Sequence, residues 1–231
     1  MGRCMQISHT QGLILKVIDF REYDQIMTVF TPDKGIVKWI FKIRKPSKTS
    51  PRVKISPLMQ GEFTYSETKG EIWKCRELII YNYYLKLRGD YNLLESAGRM
   101  INAVIDSQPL HKPAPKLFKQ LITYLEKIPF TTNLSALELS FILKILKNEG
   151  VANTHLQCSV CQSPLQSLYI WQGEYFCAMH TPAGALLFNE DETLAWMQLA
   201  ACSSFSQLNT ICIPEHLPYK AHQLFKILVQ H

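Results

Sequence analysis

The chain has 231 residues, 47% of them hydrophobic and 11% aromatic, which is enough to bury a sizeable core and too apolar for a disordered tail. The formal charge is +6, from 25 Lys and Arg against 19 Asp and Glu. No run reaches the roughly eighteen uncharged apolar residues of a membrane span, and Met1-Gly2-Arg3-Cys4 has no apolar signal core. The seven cysteines are odd in number and mostly scattered, unlike a secreted disulfide framework, so a cytosolic protein with reduced thiols and no membrane partner is expected.

From residue 12 to 80 the pattern is β. Gly12–Ile18 and Gln25–Thr31 are short runs rich in β-branched and aromatic residues, and Thr31-Pro-Asp-Lys-Gly35 supplies the turn chemistry of a hairpin. Asp19, Glu22 and Asp24, the dense acidic patch of this region, fall in the connection between the first two runs. Ile36–Arg44 alternates, with Val37, Trp39, Phe41 and Ile43 on one face and Lys38, Lys42 and Arg44 beside Ile36 and Ile40 on the other. Pro46–Pro51 reads as an irregular basic loop. Leu58–Tyr65 and Glu71–Ile80 form a second hairpin turning at Glu67-Thr-Lys-Gly70. Five short strands with long basic connections predict a small closed barrel, the five-stranded OB-fold.

After Asp90 the period becomes helical. Tyr91–Ser107, Lys116–Ile128 and Ala136–Asn148 carry apolar residues at three- and four-residue spacing, punctuated by Pro109, Pro113, Pro115 and Pro129. Ser135 with Glu138 predicts a capping box for the third helix, and Gly150 is placed to end it. Further helices are expected from Asn189, with Glu192 three residues on, to about Ala201, and from Tyr219 to Val229. The fold class is therefore α+β: a nucleic-acid-binding OB barrel over residues 1–85, then a helical domain over 86–231 with a zinc-binding segment inserted at 155–182.

That segment holds Cys158-Ser-Val-Cys161 and, fifteen residues later, Cys177-Ala-Met-His180. Two knuckles with two-residue spacers can place four soft or borderline donors tetrahedrally around one ion, which predicts a structural zinc site with no open position for substrate. His155, three residues before Cys158, competes with His180 for the fourth place. Pro164 and Gly173 suit a short hairpin beneath the metal.

The charge is uneven: residues 1–90 carry 16 basic against 9 acidic side chains, and residues 91–231 carry 9 against 10. Lys34–Lys54 holds eight basic residues and no acid, a local field that attracts polyanions. Lys38, Lys42, Arg44, Lys45, Lys48, Arg52 and Lys54 are accordingly the candidate phosphate contacts, since such contacts need only charge and reach. Trp39, Phe41, Phe63, Tyr65 and Trp73 lie nearby and could stack bases, but rings on a period-two apolar face belong first to the barrel core. No Walker loop, nucleophile elbow or carboxylate cluster of a metal-dependent nuclease is present, so no catalytic residue is expected.

Leu13-Ile-Leu-Lys-Val-Ile-Asp-Phe-Arg-Glu-Tyr-Asp24, followed by Ile26-Met-Thr-Val-Phe-Thr-Pro-Asp-Lys-Gly35 and a basic run, resembles the N-terminal signature of the recombination protein O (RecO) family. The order that follows, helices, paired-cysteine segment and terminal helices, is similar too. One departure is that zinc-containing members typically use four cysteines where this chain has His180 in the fourth position. The resemblance implies a mediator of recombination and DNA repair in the bacterial cytoplasm, associated with the nucleoid. Such a protein binds single- and double-stranded DNA and anneals complementary strands. It also implies a RecR partner, docking of the C-terminal tail of single-stranded-DNA-binding protein (SSB), and indirect action on RecA. A zinc-ribbon transcription regulator is the alternative, but the helices after residue 90 carry too little positive charge to read a groove. A zinc deaminase would need an open metal position and a His-x-Glu motif, and the chain has neither.

Overall fold

Five strands, β1 (Ile7–Arg21), β2 (Asp24–Thr31), β3 (Gly35–Lys42), β4 (Gln60–Ser66) and β5 (Ile72–Asn82), close into a barrel in the order β1-β2-β3-β5-β4. The computed structural model describes residues 7–43, 55–152 and 157–229. β1 pairs antiparallel with both β2 and β4, and β3 pairs in parallel with β5 over Lys38–Phe41 and Ile72–Cys75. This is the OB topology that the five β-runs predict. β1 is longer than its apolar run, at 15 residues. Asp19 therefore belongs to β1 and Asp24 to β2, leaving Glu22 and Tyr23 as the connection. Asp19 Oδ1 accepts a hydrogen bond from Gln25 Nε2 at 2.7 Å.

The inward set of the period-two pattern fills the barrel. Ile14, Met27, Val29, Val37, Trp39, Phe63 and Tyr65 form its core with Trp73 and Cys75. Trp39 lies 4.9 Å from the Phe63 ring and 5.0 Å from Tyr65, which stacks on Trp73 at 5.6 Å. β1 and β4 approach closely where Gly12 faces Gly61. A Cβ at Gly61 would sit 2.3 Å from the Ile79 carbonyl oxygen, so any larger residue would push β5 away. Ile36 departs from its expected solvent side and is 2% exposed. The chain at Leu110–His111 covers it, with the His111 N–H donating to the Ile36 carbonyl at 2.9 Å.

The chain divides into two compact units, residues 1–89 with 108–120 and residues 90–107 with 121–231. The helices are α1 (Leu85–Arg88), α2 (Tyr91–Ser107), α3 (Pro115–Lys127), α4 (Leu134–Glu149), α5 (Glu190–Ala201), α6 (Phe205–Leu208) and α7 (Leu217–Val229). In the second unit α4 packs against α2, α5 and α7, burying Leu137, Phe141 and Ile145 together with Met100, Val104, Leu224 and Phe225. Gly150 ends α4 in the left-handed conformation, as expected.

The start of α4 corrects the predicted Ser135–Glu138 capping box. Asn133 is the N-cap, and its Oδ1 accepts from the Ala136 N–H at 3.0 Å while its amide donates to the Ile211 carbonyl at 2.8 Å. Glu138 is unavailable for capping because Arg99 of α2 grips it with two bonds of 2.7 and 2.9 Å. A charge-assisted bidentate pair on a buried carboxylate outcompetes a bond to a single backbone N–H. The box at Asn189 and Glu192 does form, opening α5.

Candidate metal centre and nucleic-acid interface

A three-stranded sheet carries the metal-spaced residues: β6 (Leu168–Trp171) lies between β7 (Glu174–Phe176) and β8 (Leu186–Phe188). The β6–β7 turn places Gln172 and Gly173 at φ 49° and 81°, the twist that joins two antiparallel strands through two residues. Only glycine fits at 173, because a Cβ there would lie 2.0 Å from the Val151 carbonyl oxygen. The sheet is tied to α5 where Trp196 Nε1 donates to the buried Tyr175 hydroxyl at 3.1 Å.

Each knuckle is a tight turn. After Cys161 the backbone enters the left-handed region at Gln162, φ 59°, whose N–H donates to the Cys158 carbonyl at 2.9 Å. The N–H of Ser159 reaches the Tyr175 carbonyl at 2.8 Å and joins this knuckle to β7. Beyond β7, Ala178–His180 forms a 3-10 turn closed by the His180 N–H on the Cys177 carbonyl at 3.1 Å.

These turns bring one donor atom from each of Cys158, Cys161, Cys177 and His180 within 4.8 Å of one another. His180 Nδ1 lies 3.3 Å from Cys177 Sγ and 3.7 Å from Cys158 Sγ, and the Cys161 and Cys177 sulfurs are 3.9 Å apart. A tetrahedral ion with metal–sulfur bonds of about 2.3 Å and metal–nitrogen bonds of about 2.0 Å sets ligand spacings of about 3.5–3.8 Å, so the group could hold a metal. The electrostatics are divided: Cys158 and Cys161 are shifted toward thiolate, whereas burial raises the Cys177 thiol. Burial opposes ionisation of Cys158, but N–H groups at Cys161, Cys177 and Val160 outweigh it and bring the thiol down to about 6. The Ser163 hydroxyl and backbone lower the Cys161 thiol, and hydrogen bonds to Cys158 and Cys161 raise His180. His155, the competing fourth ligand, lies outside the described residues.

On the barrel, Lys38 and Lys42 project from the outer face of β3. Lys42 is exposed, and Lys38 lies 3.7 Å from Glu71, a contact between exposed side chains that water screens. Strand register sets further cations beside them. Lys16 of β1 and Lys38 flank Thr28, and Lys74 of β5 lies opposite Ile40. Sequence reasoning missed Lys16 and Lys74 because they lie far along the chain from the basic run. Arg44, Lys45, Lys48, Arg52 and Lys54 are outside the described residues. Trp39 and Phe63 are fully buried and Tyr65 and Trp73 nearly so, which removes them from any base-stacking role; Phe41 is half-buried.

Among the described residues no helix is long and apolar enough to cross a membrane. Comparison with known proteins gives one consistent result. Residues 5–84 match the family described as Recombination protein O N terminal, and residues 88–230 match Recombination protein O C terminal. The chain is 28% identical over 226 residues to "DNA repair protein RecO" of Chlamydia pneumoniae, covering 97% of this chain and 89% of the relative. It is 27% identical over 213 residues to the protein of that name from Chlamydia trachomatis serovar D, covering 91% and 86%. The Geobacter metallireducens protein of the same name is 28% identical over 124 residues, 54% of this chain and 50% of the relative. An OB barrel followed by helices and a four-donor knuckle pair, matched by two family halves that together span almost the whole chain, places this protein in the recombination protein O family.

Proposed function

We propose that the chain is a non-enzymatic mediator of DNA repair and homologous recombination. It binds single- and double-stranded DNA, anneals complementary strands and assists loading of RecA recombinase onto single strands coated by SSB. The observation that carries this reading is an OB barrel with cations on its outer face in a chain of this family. Lys38 and Lys42 supply contacts from the barrel, and Arg44, Lys45, Lys48, Arg52 and Lys54 extend them. Contacts to phosphate carry no sequence information and release counterions, so binding is nonspecific and salt-sensitive. Neutralised phosphates also lower the repulsion between two strands, which lets complementary bases approach and pair. RecR and the SSB C-terminal tail are the protein partners of this reading, and the site of action is the bacterial cytoplasm at the nucleoid.

Zinc fits the four-donor group, since three thiol sulfurs and an imidazole nitrogen are its preferred donors and all four converge within 4.8 Å of one another. Cys158, Cys161, Cys177 and His180 would hold it, with no position left for substrate. When bound, the ion cross-links the two knuckles and its role is structural.

The test is fluorescence anisotropy of a labelled single strand across a salt series, with native protein and a variant carrying Lys42, Arg44, Lys45 and Lys48 changed to Ala. Native binding that weakens steeply with salt, and a variant that binds less with a shallower slope, is the expected result. Equal binding by the two proteins defeats the assignment of the basic segment.

A further inference from the structure

Of the rings that could stack bases by sequence position, Trp39, Phe63, Tyr65 and Trp73 are buried, yet a different apolar ladder is open to solvent. Ile79, Tyr81 and Tyr83, at alternate positions along and just beyond the end of β5, are 56%, 53% and 46% exposed, and Leu85 follows at 73%. The β4–β5 register slips between Gln60 and Gly61, placing a bulge at Tyr81, a feature that re-aims side chains at the rim of a barrel. The backbone beneath the ladder is fixed. Arg88 donates from Nε to the Tyr83 carbonyl at 2.7 Å and from Nη2 to the Leu58 carbonyl at 3.0 Å. Tyr84 turns inward in the left-handed conformation, φ 47°, and its hydroxyl donates to Gln60 Oε1 at 2.8 Å. Tyr83 is held at its carbonyl by Arg88, and the Tyr81 hydroxyl shares a hydrogen bond with Gln60.

We propose that Tyr81 and Tyr83 form a stacking platform for unpaired nucleic-acid bases. The inference rests on the DNA-binding reading above and adds a site to it. Tyr81 at the bulge and Tyr83 just past the end of β5 each leave about half of the side chain open, so a base can lie on either ring. Arg76 and Lys86, both exposed, bracket the ladder along the chain. Glu62, opposite Ile79, and Glu77 are exposed on the same strands and offset that charge. Affinity at this patch therefore comes from stacking rather than from counterion release. Duplex bases are already stacked on one another, so the ladder selects single strands.

The experiment compares native protein with Tyr81→Ala/Tyr83→Ala and Tyr81→Phe/Tyr83→Phe double variants, each first checked for an unchanged thermal transition. A labelled dT20 and a duplex of equal length are titrated at several salt concentrations. Loss of stacking predicts about tenfold or greater weakening on dT20 for the Ala variant, with the salt slope unchanged and duplex binding within about twofold. The Phe variant keeps the rings and binds dT20 within about twofold of native. An Ala variant that binds dT20 like native overturns the platform while leaving the DNA-binding reading intact. Failure of native protein to bind either nucleic acid removes that reading itself. Sedimentation of the same proteins covers the remaining occupant: if the Ala change converts a self-associated native protein to monomer with dT20 affinity unaltered, the ladder is a protein interface and the proposal is wrong.

Discussion

The barrel and the second unit are held together differently. The barrel buries a continuous run of rings, Phe63, Trp39, Tyr65 and Trp73, each packed on the next. The second unit has an apolar core too, but its segments are fixed by discrete polar devices. These are the four-donor knuckle pair, the Arg99–Glu138 and Lys220–Glu192 ion pairs and the caps at Asn133 and Asn189. Burial is spread over many contacts, whereas a donor set fails when one member is lost. The difference separates the two units experimentally.

The largest effect is expected at the knuckles. On the proposed zinc reading, chelation or Cys158→Ser should release one zinc per chain and remove hydrogen-exchange protection across residues 157–188 while β1–β3 stay protected, as expected where metal binding is coupled to local folding. A chelator that leaves exchange in this segment unchanged would show that the sheet stands without metal. Next is the barrel. Trp39→Ala should cost about 3–5 kcal/mol in urea unfolding, from lost burial and the cavity left among Phe63 and Tyr65. A cost below about 1 kcal/mol would mean that the ring stack is not what holds the barrel.

Cys75 sharpens the contrast between thiols. Burial pushes it up to about 12, so at pH 8 iodoacetamide should label the exposed Cys212 and leave Cys75 untouched in native protein. An unfolded thiol titrates near 8.5, about where native Cys75 still holds its proton, so its contribution is intact below that pH. Stability should decline as pH rises from about 8.5 toward 12, and Cys75→Ala should flatten that decline. The smallest effect tests the cap of α4. Asn133→Ala should cost about 1 kcal/mol, whereas Ser135→Ala should change the melting temperature hardly at all; the opposite ranking would restore the box at Ser135.

Local patterns carried much of this molecule. Alternation of Val37, Trp39 and Phe41 against Lys38 and Lys42 sets a strand with one wet face, because successive side chains of a strand point oppositely. Two-residue spacers between donors set the knuckles, because such a turn aims both donors to one side. Asn189 with Glu192 opens a helix through bonds that reach only three residues along the chain. Each of these features is short-range, so order along the chain suffices to find it.

Other features depended on partners distant in sequence. The N-cap of α4 moved to Asn133 because Arg99, thirty-nine residues before Glu138, takes that carboxylate. Ile36 is buried because the chain near residue 110 folds over it. Lys16 and Lys74 reach the cationic face only through strand register, and the rings divide into those sealed in the barrel and those left open at Tyr81 and Tyr83 only once the barrel closes. The sequence by itself determined which segments are strands, helices and donor knuckles, because those depend on near neighbours. Which charges share a face, which acid caps a helix and which rings meet solvent were decided by the tertiary structure, because burial and pairing are properties of packed surfaces rather than of neighbouring residues.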